Sequence, residues 1–480
     1  MAKEVKGKNL GISAEKDEFS EWYTQTIIKA NLADYSPVSG CMILLPTAYS
    51  VWETIREECD KRFKKIGIKN VCFPLLIPES LLKKEAAHLK GFSPEVAWVT
   101  ESGETKMAER LAVRPTSETI MYNSYSKWIR SWRDLPLRYN QWNNVVRWEF
   151  KNPVPFLRGR EFLWNEGHTV FATQKEAIAE EKDIIGIYDE ISRDYMAIAG
   201  FISRKTDSEK FAGAEFSKAI EFILPNGKVV QGPAFHHDGQ IFAKAFDIKF
   251  LNKESKEEYA WQNTWAISTR QLGVMFAIHG DDKGLVIPPK VAPVQAVIIP
   301  ILFTEVVEKV LKKAKELEKS LPDFRVFLDD RTGCSAGHKF NEWEMKGIPV
   351  RIEIGPKDIE KNQVIVARRD GGEKEIIKIK DLKKRMKEIL DDIQANLLKN
   401  SERKLKEAMI EVKTMAELEK AIKNKKVATS EWCGCAECED EIKSKTTAKI
   451  IGINEQLKAK GKCIFCGKSA EHAVWIAKSY

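Results

Sequence analysis

Between Arg147 and Ala172 the chain reads RWEFKNPVPFLRGREFLWNEGHTVFA, and five of its side chains could do chemistry together. Arg147, Glu149, Trp164, Glu166 and His168 supply a cation, two carboxylates, an aromatic ring and an imidazole. Side chains on a strand alternate with period two. Arg147 and Glu149 then share one face of a first strand, and Trp164, Glu166 and His168 share one face of a second. Arg158 lies in the connection KNPVPFLRGRE, where it can reach over a bound ligand. Solvated ion pairs explain an ordinary hairpin, but surface strands rarely set a Trp among their charges. If both faces look into one cleft, the site holds cation, anion, aromatic and imidazole together.

Three further tracts offer polar groups. In WQNTWAISTRQLGVMFAIHGDD, alternation from Gln262 puts Thr264, Ala266, Ser268 and Arg270 on one face before the pattern turns helical at Leu272, Met275 and Phe276. Small side chains leave room for something flat, and the Arg can bind an anion or stack on a ring. VRPTSETI holds Thr116 and Glu118 and, alone, reads as a helix N-cap. VVQGPAFHHDGQ sets Gln231, His236 and His237 in what reads as a Gly-rich turn. Adjacent histidines point in different directions, and no third ligand stands at metal spacing.

These residues need elements to hold them. A chain of 480 residues has room for about two to four domains. Hydrophobic content of 43% and charged content of 31% fit a soluble globular protein. No run of about 18 apolar residues predicts a transmembrane helix. MAKEVKGKNLG has no apolar stretch that would make it a signal peptide, so a cytoplasmic location is expected. The net charge of +8 permits a polyanionic partner without requiring one.

Residues 1–18 read as a loose segment, and 19–287 mix helices with strands. SVWETIREECDKRFKKIGIKNVCFPLLIP predicts a helix with Val51, Ile55 and Phe63 on its apolar face, followed by an apolar strand. The prolines of LVIPPKVAPVQAVIIPILF mark a boundary. Beyond it, 290–395 predict strands at Gln295–Pro300, Arg325–Leu328, Val350–Ile354 and Gln363–Arg368, with helices at Thr304–Leu321 and His338–Lys346, which is the pattern of a small α/β domain. A charged helix over about 380–411 reads as a bridge into a cysteine-bearing tail.

Of nine cysteines, Cys41, Cys59, Cys72 and Cys334 stand alone and read as packing residues. Cys433, Cys435, Cys438, Cys463 and Cys466 crowd the tail, which in a cytosolic chain favours metal over disulfides. Cys463 and Cys466 form a CxxC knuckle suited to tetrahedral zinc, and the other three offer one thiolate more than such a site needs.

Together these tracts resemble the three signature motifs of class II aminoacyl-tRNA synthetases, and more narrowly the prolyl branch over essentially the whole chain. GCMILLPTAYSVWETIREECDKRF stands as the first motif, RWEFKNPVPFLRGREFLWNEGH as the second, and GLVIPP preceded by STRQLGVMFAIHGDD as the third. RPTSE and FLWNEGH are the most specific to that branch. The resemblance implies an α+β catalytic domain on an antiparallel sheet (19–287), an α/β anticodon-binding domain (290–395) and a zinc-bearing α+β C-terminal domain (396–480). It implies activation of L-proline by ATP, with Mg2+ between the phosphates, and transfer to tRNA(Pro). It further implies a homodimer joined through the first motif, with no membrane partner.

By the same resemblance, Arg147 binds the α-phosphate and the proline carboxylate, Glu149 the adenine amino group or a magnesium-bound water, and Arg158 the γ-phosphate. Arg270 stacks on the adenine, Ser268 lines the ribose and Gln231 contacts the nucleotide. Thr116 and Glu118 receive the proline ammonium, while Trp164, Glu166, His168, Phe211 and His236 shape the ring pocket. Glu344, Arg351, Lys357 and Asp358 contact the anticodon. Cys433, Cys438, Cys463 and Cys466 hold structural Zn2+, leaving Cys435 spare, and the Tyr480 carboxylate reaches back toward the active site. Only roughly 100 residues separate the second and third motifs, so no hydrolytic editing insertion is expected. An apolar slot separates amino acids that differ by a methylene by only about 1–3 kcal/mol, so alanine and cysteine should leak through. Ala234 departs from the family, where a hydroxyl residue is common. The alternative, a catalytically silent paralogue that binds tRNA, is opposed by the presence of Arg147, Arg158 and Arg270, which such proteins typically lose.

Overall fold

In the computed structural model, residues 11–88, 95–149 and 152–480 are described. The strands that carry the site are the long ones, Leu137–Val146, Glu161–Phe171, Phe216–Ile223 and Val229–Gly239. The last three put one face toward the cleft, as period-two alternation allows, and Leu137–Val146 pairs along Glu161–Phe171 and supports it. They belong to an eleven-stranded sheet. Its spatial order is Met409–Glu411, Val427–Trp432, His472–Ala477, Lys449–Ile453, Phe201–Arg204, Phe216–Ile223, Val229–Gly239, Trp261–Ala266, Glu161–Phe171, Leu137–Val146 and Lys69–Asn70. Pairing is antiparallel except at the two edges.

Behind the sheet lies the largest apolar cluster. The helix Pro46–Lys65 contributes Val51, Trp52, Ile55, Cys59 and Phe63, so the predicted apolar face is the buried one. Phe63 packs on Trp265 with ring centroids 4.8 Å apart. The helix Gln174–Glu190 starts at a capping box formed by Thr173 and Glu176, and its Ile184, Ile187 and Tyr188 join the same cluster. The single apolar strand expected after Lys65 is instead two short strands, Lys69–Asn70 and Leu76–Pro78, in different sheets. Pro74, which lies between them, explains the division, because proline cannot donate to a sheet ladder.

The second unit has five strands ordered Val326–Leu328, Ala296–Pro300, Val350–Ile354, Gln363–Arg368 and Glu375–Lys378. The first three pair in parallel and the rest antiparallel. The helix Leu382–Ala408 does not bridge solvent. Leu382, Met386, Ile389, Leu390, Ile393 and Leu397 are buried in the core of this unit, each contributing about 1.5–3 kcal/mol. Farther along, Ser401 Oγ accepts from the Ala199 N–H at 2.9 Å. A one-sided stripe in a highly charged segment is a packed helix.

Of the loose segment expected over 1–18, residues 1–10 lie outside the described ones. Residues 11–18 are tied down, for example by the Lys16 N–H donating to Asp282 Oδ1 at 2.7 Å. Among the isolated cysteines only Cys59 is buried. Cys72 is exposed, and Cys41 and Cys334 are half-buried, so packing accounts for Cys59 alone. No helix among the described residues is long and apolar enough to cross a membrane.

Candidate active site

One face of the large sheet forms the floor of a cleft of about 510 Å³. Its walls include Thr116, Glu118, Arg147, Glu149, Trp164, Glu166, His168, Phe211, Gln231, His236, Ser268 and Arg270. Every residue predicted for the nucleotide and the amino acid is therefore brought together here except Arg158, which stands outside this lining. The local structure differs from the expected hairpin. The first strand ends at Val146, so Arg147 and Glu149 follow it rather than lie within it. The Arg147 N–H still donates to the Arg160 carbonyl at 2.7 Å, which fixes where its side chain leaves the sheet. Phe150, at the end of the expected strand, and Lys151, at the start of the expected connection, lie outside the described residues. The second strand is as predicted, with Trp164, Glu166 and His168 facing one way. Between them Gly167 presses flat on Trp265, where a Cβ would come within 2.2 Å of the indole.

At one end the cleft is acidic. Glu166 is 2% exposed, and its carboxylate accepts five hydrogen bonds. Oε1 accepts from Ser117 Oγ, Asn143 Nδ2 and Trp164 Nε1, each at 3.0 Å. Oε2 accepts from the Ser117 N–H at 2.9 Å and lies 3.1 Å from His168 Nε2. Burial alone would raise this carboxyl, but the bonds from His168, Asn143 and Ser117 outweigh it and hold its pKa below the ordinary value. His168 Nδ1 faces the Tyr122 hydroxyl at 3.1 Å. The partners therefore assign the imidazole proton to Nε2. Glu118 is also buried and is hydrogen-bonded by Thr116 Oγ1. Burial pushes its pKa up, with His168 opposing and Glu166 adding to the rise. Ligand atoms of Glu118, Glu166 and His168 all lie within 4.8 Å of one another. Such a corner suits a compact cation.

The other end is basic. Arg147 Nε donates to the Pro115 carbonyl at 3.0 Å, and its guanidinium lies 5.1 Å from the centre of the Trp164 ring. Arg270 heads the helix Arg270–His279 and donates to the carbonyls of Leu157 (3.1 Å) and Gln231 (3.2 Å). Burial, with Arg147 and Arg158 nearby, pushes its pKa down to about 10. Among the described residues neither Arg147 nor Arg270 makes a side-chain ion pair; both rest on neutral carbonyls, which orient a guanidinium and leave its charge for a ligand. Arg158 Nη2 donates to a terminal oxygen of Tyr480 at 2.9 Å. Tyr480 is held also by its N–H, which donates to the Val229 carbonyl.

Two local expectations change. Ser117 precedes the helix Glu118–Trp128 but makes no side-chain cap; its hydroxyl serves Glu166 instead. The histidine pair lies in a continuous strand, Val229–Gly239, not in a turn. His236 enters the cleft, 2.7 Å from Ser217 Oγ, while His237 faces the opposite side, 2.8 Å from Asn263 Oδ1. Burial, then Lys205 and Arg147, push His236 down to about 4. Sequence reasoning missed Ser117, Asn143 and Lys205. The one signal for Asn143 is that YNQWNNVV crowds amides at 140, 141, 143 and 144 into the strand before Arg147, more than a simple core strand would carry.

The residues expected to meet the anticodon are elsewhere. Glu344 and Arg351 line a second cleft of about 470 Å³ in which charges pair with one another, as in Arg369–Asp281 and Lys283–Glu344. Arg351 is paired with Glu353 and lies 4.3 Å from the Phe340 ring centre. Asp358 caps its own helix, accepting from the Gly355 N–H at 3.0 Å, and Lys357 precedes it. In the tail, the sulfurs of Cys433, Cys438, Cys463 and Cys466 lie within 4.8 Å of one another, with Cys433–Cys438 at 3.6 Å and Cys466–Cys433 at 3.7 Å. A disulfide needs about 2.0 Å. Four thiolates about 2.3 Å from a zinc ion stand about 3.8 Å apart, so the four residues fit zinc. Cys435 points to Glu437 and is not among them.

Residues 99–279 match the tRNA synthetase class II core domain (G, H, P, S and T), 295–389 an anticodon binding domain, and 415–480 a prolyl-tRNA synthetase C-terminal domain. A proline--tRNA ligase of Alkaliphilus oremlandii is 47% identical, with all of both chains covered. One from Cenarchaeum symbiosum is 45% identical over 98% of this chain and 100% of its own. A crystal structure of prolyl-tRNA synthetase from Cryptosporidium parvum, complexed with halofuginone and AMPPNP, superimposes with a TM-score of 0.94. It is 42% identical and covers 98% of this chain and 100% of that one.

Proposed function

Because this chain belongs to the prolyl-tRNA synthetase family, we propose that the cleft activates L-proline with ATP and then passes proline to the 3′ end of tRNA(Pro). The observation that carries this reading is the opposition of charge within one cleft. Glu118, Glu166 and His168 offer a corner for a secondary ammonium, while Arg147 and Arg270 leave positive charge facing them. Proline bound between the two ends would have its carboxylate at Arg147, beside the α-phosphate it attacks. Positioning and neutralisation of charge are what this reaction needs. Arg158, Glu149, Gln231 and Ser268 would hold the nucleotide, with Mg2+ carried on its phosphates. Thr116 would hold Glu118 to the ammonium, while Trp164, Phe211 and His236 would close on the ring.

Arg351, Lys357, Glu344 and Asp358 would meet the anticodon. Cys433, Cys438, Cys463 and Cys466 would hold zinc, which, ringed by four thiolates, has no open position and serves structure. Tyr35, Val38, Ile43 and Tyr49 are exposed around the strand pair Ala33–Tyr35/Met42–Leu44 and the following helix, which supports a homodimer through the first motif. We place the enzyme in the cytoplasm. Exchange of labelled pyrophosphate into ATP, run with each of the twenty amino acids, tests the activation. A strong signal with proline and weaker ones with alanine or cysteine is expected. Silence with all twenty from zinc-loaded protein would favour the silent tRNA-binding paralogue.

A further inference from the structure

Phe211 reaches the cleft at the end of a segment, 205–211, that follows the strand Phe201–Arg204. This segment is held from behind by the tail. Thr206 Oγ1 donates to Glu439 Oε1 at 2.8 Å, with both side chains buried. Ser208 also hydrogen-bonds Glu439 and lies 3.1 Å from Thr206 Oγ1. The Lys205 ammonium sits between the Glu221 carboxylate and the Ile451 carbonyl. Glu209 pairs with Lys449, and Arg204 with Glu455. At the seam, Gly452 packs so closely that a Cβ would lie 2.7 Å from the Arg204 carbonyl. Lys205, Glu209, Lys210, Phe211 and Ala212 all line the cleft. Glu439 follows Cys438 directly in the helix Ala436–Thr446, so a single peptide link joins the cysteine cluster to the anchor of the cleft wall.

We propose that Glu439 is a positioning residue for proline binding: by fixing Thr206 and Ser208 it sets where Phe211 stands, so the metal-bearing domain governs proline affinity without touching proline. This inference rests on the placement of Phe211 in the proline pocket proposed above. A wall ordered before the ligand arrives binds more tightly than one that must be ordered by it. ATP, at the arginine end, does not depend on this wall.

The test uses the full-length, zinc-loaded chain carrying E439A or E439Q, with F211A beside them. Loss of the buried charge-assisted bonds in E439A should raise the proline KM about tenfold. The ATP KM should stay within about twofold and the zinc content should be unchanged. Backbone hydrogen exchange across 205–211 should quicken. E439Q keeps an acceptor and should lose less. If F211A raises the proline KM while E439A changes neither that KM nor the exchange, the inference is overturned and the pocket stands. If F211A leaves proline binding unchanged, the pocket assignment fails and the inference with it. Should E439A lose zinc, E439Q decides by the same two readouts.

Discussion

The two ends of the cleft handle buried charge in opposite ways. At the acidic end Glu166 is saturated, with five donors fixed on one carboxylate. At the basic end Arg147 and Arg270 are oriented by neutral groups, backbone carbonyls and, for Arg147, the Trp164 ring. A buried carboxylate with this many donors stays ionised and keeps its shape. A guanidinium resting on neutral acceptors keeps its direction, and its charge awaits an anion. The contrast suggests a division of labour, in which the acidic end discriminates by a rigid, pre-ordered corner and the basic end supplies attraction to phosphate and carboxylate as they arrive.

The largest expected effect lies at the basic end. Arg147→Ala should lower proline-dependent pyrophosphate exchange by about 10²–10³-fold, the cost of removing one pre-placed donor to developing charge. Near-normal exchange would remove Arg147 from the site. At the acidic end Glu118→Gln should raise the proline KM by roughly 10–100-fold while leaving the ATP KM almost unchanged. If the two constants rose together, the ends would not be separable.

A smaller effect concerns His279, at the far end of the helix that Arg270 begins. It is buried, 2.9 Å from the Met196 carbonyl, and burial pushes its pKa down to about 3. Below an unfolded value of about 6.5 the unfolded chain takes the proton first. The stability that neutral His279 supplies is therefore complete above about pH 6.5 and is lost as pH falls toward 3. Well inside that window each pH unit removes about 1.4 kcal/mol. The difference in urea-unfolding free energy between wild type and His279→Asn should accordingly shrink by about 1 kcal/mol between about pH 6.5 and about pH 5.5, where the unfolded imidazole goes from half to almost fully protonated; a constant gap would show that folding leaves the His279 pKa unchanged. Smallest of all, Cys435→Ser should leave bound zinc at the wild-type level, since its sulfur faces Glu437. Loss of metal would mean that Cys435 is a ligand.

Much of this comparison was legible in the sequence, and for different reasons at each end. Arg147, Glu118 and Arg270 stand in motifs whose order along the chain carries the resemblance, and Trp164, Glu166 and His168 alternate on one strand. The saturation of Glu166 was not legible. Ser117 is 49 residues away and Asn143 is 23 residues away, and local periodicity says nothing about which side chains meet across elements. Four of the five strands of the α/β unit were predicted to within a residue, because their apolar runs are bounded by turns or prolines; the edge strand Glu375–Lys378, only four residues long and half charged, was not. The helix Leu382–Ala408 was misread because its lysines and acids mask a buried stripe. The union of the tail with the catalytic sheet was hidden because the pairing of Arg204 with Ile453 joins strands some 250 residues apart, which no local pattern records.

The most direct test of the division between the ends uses cyclopentanecarboxylate, which keeps proline's ring and carboxylate and lacks its ammonium. Competition against proline in pyrophosphate exchange would be measured. If the acidic corner reads the ammonium, this analogue should fail to inhibit at concentrations where proline saturates. Inhibition with an affinity equal to proline's would contradict the account, because Glu118, Glu166 and His168 would then contribute nothing to recognition.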